Sequence, residues 1–68
     1  DDSYDLGGAS NQWRNIYTGD LHLSNMSKED GNSVNGTKGD WTIQEGAEDL
    51  FLINNNSGKK YKFNLTEV

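Results

Sequence analysis

The longest unbroken run of large apolar residues in this chain is four, Leu50-Phe51-Leu52-Ile53. That limit constrains the fold more than any other feature. Four residues cannot cross a bilayer as a helix, which needs about 20. They suit a short strand covered on both faces. Most other large apolar side chains alternate with polar ones, the period-two pattern of half-covered strands. Eight glycines and nine asparagines separate these pieces, and proline is absent. Turn-forming residues between short alternating stretches predict strands joined by tight turns.

At 68 residues the chain has room for one small module. Cysteine is absent, which excludes disulfides and Cys-built zinc sites, and a single histidine is too few for most His-built metal cages. Scaffolds of this size normally need disulfides, a metal or oligomerisation. Nineteen large apolar or aromatic side chains are a thin supply for enclosing 68 residues. Burial against further copies of the chain is the remaining route to stability. The net charge of −5 disfavours nucleic acid and anionic membrane surfaces, both of which call for Lys and Arg. The chain opens on Asp1-Asp2-Ser3 without an initiator Met, so it is expected to be a piece of a longer or processed polypeptide.

Three segments are predicted. In residues 1–26, Tyr4-Asp5-Leu6 reads as a short extended piece stopped by Gly7-Gly8. Ser10 offers an N-cap for a short helix over Asn11 to Tyr17, with Trp13, Ile16 and Tyr17 on one face at i, i+3 and i+4. Leu21-His22-Leu23 alternates as a strand with both leucines on one side. Residues 27–40 read as an exposed loop or loose hairpin, with Asn35-Gly36 as a type I′ turn signal. Residues 41–68 predict a three-stranded antiparallel meander. Its strands are Asp40–Glu45, Leu50–Ile53 in the middle and Lys60–Leu65, joined by turns at Gly46–Asp49 and Asn54–Gly58. In the last strand Tyr61, Phe63 and Leu65 point inward and Lys60, Lys62 and Asn64 outward.

Asp5-Leu6-Gly7, a Ser/Asn linker, Trp13-Arg14-Asn15-Ile16-Tyr17 and a Leu-alternating strand resemble a recurring "LG-S-x-x-x-W-x-x-[IL]-Y" element. That element occurs in the distal parts of tailed-bacteriophage tail fibres and tailspikes. Gly39–Gly46, Leu50–Ile53 and Gly58–Phe63 are similar to the C-terminal ends of such proteins. The resemblance implies a mainly β, parallel homotrimer interwoven about a three-fold axis, extracellular on the virion. In it the short N-terminal strand and helical turn precede the antiparallel meander. Its packing residues would be Leu6, Trp13, Ile16 and Tyr17, followed by Leu21 and Leu23 as an axis-facing strand. The chain has Gly8-Ala9 where serines are usual, and it shows no downstream self-cleaving peptidase with a Ser-Lys pair. The expected interface and core comprises Leu6, Trp13, Ile16, Tyr17, Leu21, Leu23, Trp41, Ile43, Phe51, Ile53, Tyr61 and Phe63. The implied role is a foldon-like clamp that registers the upstream fibre shaft and caps its distal end. The alternative is a tip that binds a host surface glycan.

Other side chains have plainer readings. His22 could meet its symmetry mates around a metal, but alternation turns it away from an axis that Leu21 and Leu23 face. The pairs Glu29-Asp30 and Glu48-Asp49 sit beside Gly in turns, where adjacent carboxylates diverge rather than span a glycosidic bond. Asp30–Asn35 lacks the spacing of an EF-hand loop. The aromatics Trp13, Trp41, Tyr4, Tyr17 and Tyr61 could stack on sugar, though buried packing is the commoner use. Lys60 and Lys62 fall on one strand face, where they blunt a sheet edge. Asn-X-Ser/Thr triplets begin at Asn25, Asn35, Asn55 and Asn64, as so Asn-rich a chain gives by chance. No nucleophile elbow, Walker loop, GxGxxG or His-Glu-x-x-His is present, so no enzyme, cofactor or metal is expected.

Overall fold

The computed structural model describes residues 4–68. Its centre is one antiparallel sheet of four strands in the order β1-β2-β3-β4, a meander without crossovers. The strands are β1 (Leu21–Ser24), β2 (Asp40–Glu45), β3 (Leu50–Asn54) and β4 (Lys60–Lys62). The three C-terminal strands stand where alternation places them, and the Leu21-His22-Leu23 strand joins the same sheet as a fourth member. The two inner strands are therefore β2 and β3. The last strand is shorter than expected. After Lys62 only the bond from the Phe63 N–H to the Leu50 carbonyl (3.1 Å) continues the ladder. Beyond it β3 has already turned back, and Asn64 and Leu65 have no strand to pair with.

Two expectations fail in the N-terminal segment, where the described residues contain no helix. Gly8 and Asn11 instead exchange two backbone hydrogen bonds of 3.1 Å, which puts Ala9 and Ser10 at the tip of a tight turn. Ser10 thus caps nothing, and Asn11 to Tyr17 runs on without a helical bond. Two helical turns lie below the length at which a helix repays its own nucleation, and no tertiary surface supports one here. Tyr4-Asp5-Leu6 forms no strand either, because no neighbour pairs with it. What organises this segment is Gly7. Its φ of +83° is open to glycine at little cost. A Cβ there would lie 3.2 Å from Trp13 Cδ1, so the indole packs directly on the glycine backbone.

The β1–β2 and β3–β4 connections use one device twice. The Asn32 N–H donates to the Thr37 carbonyl (2.9 Å) and the Gly36 N–H to the Asn32 carbonyl (3.1 Å). Asn32 Oδ1 accepts the N–H groups of Val34 and Asn35, both at 2.8 Å. Twenty-two positions on, Asn54 repeats the pattern. Its N–H donates to Lys59 (2.9 Å) and its carbonyl accepts from Gly58 (2.7 Å). Asn54 Oδ1 accepts from Asn56 (3.1 Å) and Ser57 (3.3 Å). Each loop is a single helical turn, capped by Asn and closed by a glycine at φ +74° (Gly36) or +77° (Gly58). The type I′ expectation at Asn35-Gly36 is thereby corrected. That turn needs positive φ at both central residues, and among the described residues only glycines, not Asn35, have it. Asn35 instead lies inside the turn that Asn32 begins and Gly36 closes.

Candidate assembly face

Register sorts the strand side chains onto two faces. Leu21 opposes Ile43, and Leu23 opposes Trp41. Ile43 in turn opposes Leu52, and Leu52 opposes Tyr61. Side chains of directly opposed residues share a face. One face is therefore Leu21, Leu23, Trp41, Ile43, Leu52 and Tyr61, with Leu50 and Phe63 continuing it at the Gly46–Asp49 end and Glu45 and Asn54 as its polar members, opposite Leu50 and Trp41. Trp41 folds over Gly39, where a Cβ would lie 3.1 Å from the indole Nε1. Its ring centroid is 6.0 Å from that of Tyr61, the planes tilted by 36°.

The opposite face is mixed. It carries His22, Ser24, Asp40, Thr42, Gln44, Lys60 and Lys62 together with Phe51 and Ile53. Thr42 lies at its centre, 5% exposed. Asn55 Nδ2 donates to Thr42 Oγ1 (2.9 Å) and to Asp40 Oδ1 (3.0 Å). His22 Nδ1 lies 2.9 Å from the same hydroxyl. The buried Thr42 oxygen is thus fully engaged, as a buried hydroxyl must be to avoid a desolvation cost. Gln44 Nε2 donates to Asp20 Oδ1 (3.2 Å), which fixes Asp20 on this face as well.

Among the described residues no apolar side chain is buried. A two-layer core is the usual reason for a sheet to exist, and this chain supplies one layer. Leu21 and Leu23 remain 49% and 48% exposed. Leu6, Trp13 and Ile16 line one open groove in the N-terminal segment, with Trp13 61% exposed, and Tyr17 is 90% exposed. Within one chain these four do not cover the sheet. Of the twelve residues expected to pack, six (Leu21, Leu23, Trp41, Ile43, Tyr61 and Phe63) share the apolar face. Phe51 and Ile53 do not. They point to the mixed face, where the Phe51 ring lies against Gly46. Leu52, missing from the expectation, belongs to the apolar face. Its assignment was available from the Gly46–Asp49 turn, since four linking residues set Glu45 opposite Leu50 and hence Ile43 opposite Leu52.

His22 points away from Leu21 and Leu23. No group of three or more potential metal-ligating side chains converges among the described residues. The carboxylates of Glu29, Asp30, Glu48 and Asp49 stay in loops and turns. An open groove lies at the Asn-loop end, lined by Trp41, Ser24, Asn25, Asn54 and Asn56 among others. The chain matches no protein-family model, no curated protein and no solved structure.

Proposed function

We propose that this chain is a structural module whose task is self-association. Three copies pack their apolar sheet faces around a common axis and hold upstream chains in register as the distal cap of a fibre. One observation carries the reading: a sheet with one face apolar apart from Glu45 and Asn54 at its ends, and no buried apolar residue behind it among the described residues. Surface area supports it. The accessible surface is 6336 Å², whereas a compact monomer of this mass exposes about 4300 Å². The excess, about 2000 Å² per chain, is of the order that two standard contacts of about 800 Å² per partner remove from a chain in a ring.

The test is the mass of the purified chain by analytical ultracentrifugation at micromolar concentration. Three times the 7.6 kDa chain mass is expected. A single-chain mass at that concentration would overturn the reading. The Trp41 groove favours a second one, a tip that stacks a host surface glycan on an aromatic ring beside asparagine amides. There Trp41 stays open to solvent in the assembled form, and in a Trp13→Phe background added acrylamide quenches its fluorescence. In the structural reading assembly shields it.

A further inference from the structure

We propose that the three copies close edge to edge, β4 of each pairing antiparallel with β1 of the next, into a three-walled β-prism with the apolar faces inside. The inference rests on the self-association reading and adds the contact that makes it. Both outer edges of the sheet are free: β1 and β4 are terminal in the strand order, and no backbone hydrogen bond among the described residues reaches either from outside. The two edges run in opposite directions, as the first and fourth strands of an up-and-down meander must. A rotation axis along the strands therefore brings β4 beside the next copy's β1 as an ordinary antiparallel pair. This contact joins two different patches, so it closes into a ring only if the turn per copy fits.

Strand geometry decides that turn. Four strands spaced at about 4.8 Å make a wall about 19 Å wide. Three such walls, closed as a triangle, stand with their centres about 5.5 Å from the axis. Packed sheets lie about 10 Å apart, so each side-chain layer fills about 5 Å. Three walls thus bring the layer formed by Leu23, Trp41, Ile43 and Leu52 to the axis without a void. Four walls would stand about 9.5 Å away and leave a hole down the middle.

Side-chain charge selects the register. Lys60 and Lys62 lie on the mixed face, which is the outside of the prism. On the β1 edge that face carries Asp20, held there by Gln44, then His22 and Ser24. Setting Lys62 opposite the next copy's Asp20 places Tyr61 opposite Leu21 inside and Lys60 opposite His22 outside. Opposite charges directly across an antiparallel pair favour that alignment.

The seam is tested by cross-linking, because the described chain has no cysteine to interfere. Opposed residues of adjacent strands stand about 4.5–5.5 Å apart at Cα, within disulfide reach. The double variant His22→Cys/Lys60→Cys, oxidised at micromolar concentration, is expected to run as a covalent trimer on denaturing gels. Since His22→Cys removes the Thr42 contact, a second arm keeps the network intact. Asp20→Lys and Lys62→Asp are each expected to raise the dissociation constant about tenfold, with the double exchange restoring most of the loss. A wild type of trimer mass that cross-links no further than dimer, or whose charge variants assemble unchanged, overturns the seam and leaves self-association standing. A wild type of single-chain mass overturns both.

Discussion

At the scale of the residue, two asparagines shape the loops that join the strands. Asn32 and Asn54 each satisfy two loop N–H groups through one side-chain oxygen, and each begins a turn that a left-handed glycine ends. The Asn-x-x-x-Gly spacing occurs four times in the sequence, and of the two copies that form this turn only the second reads as one without help. In the first, Asn35-Gly36 offers a stronger local hairpin signal, and the capping oxygen three residues earlier leaves no mark that periodicity can detect. Replacing Asn54 by Ala removes both accepted bonds and is expected to cost about 1 kcal/mol. Asn54→Asp keeps an acceptor in place and is expected to cost less than half of that. Urea denaturation of the two variants checks the pair. Equal losses would assign the effect to something other than the cap.

At the scale of the element, alternation and turn length together determine which face each side chain takes. The β2 and β4 patterns were legible because polar and apolar residues alternate in them. The β3 pattern was not, since all of Leu50–Ile53 is apolar and either parity looks like a core. Only register resolves it, through Ile43 opposite Leu52. The N-terminal segment failed for the converse reason. Trp13, Ile16 and Tyr17 have helical spacing, but spacing yields a helix only where a surface receives the face. The direct consequence concerns neighbouring residues with opposite fates. Leu52→Ser, on the apolar face, is expected to cost 2 kcal/mol or more per chain if that face is packed in the assembly. Summed over three chains, this raises the dissociation constant by at least about ten-thousandfold. Ile53→Ser, on the mixed face, is expected to lower the melting temperature and leave the assembled mass unchanged. Sedimentation of both variants at one concentration makes the comparison. Loss of assembly in Ile53→Ser alone would invert the assignment of faces.

At the scale of the whole molecule, shape makes the same point as burial. The Cα radius of gyration is 14.5 Å, against about 11 Å for a compact domain of this length. A chain so spread, with one sheet layer and a trailing N-terminal segment, has little of its own to melt. If its stability comes from the contacts between copies, then unfolding and dissociation are one step, and mass action enters the melting temperature. Complete unfolding of three chains absorbs about 140 kcal/mol near 60 °C at about 0.7 kcal/mol per residue. With one trimer releasing three chains, each tenfold rise in concentration then shifts the midpoint upward by about 5–10 °C. Differential scanning calorimetry between 10 and 1000 micromolar chain, roughly two decades, spans enough to read that slope. A midpoint that stays fixed across the range, in a sample of trimer mass, would mean that each copy folds first and associates afterwards. The apolar face would then be an interface between finished domains rather than the missing half of a core.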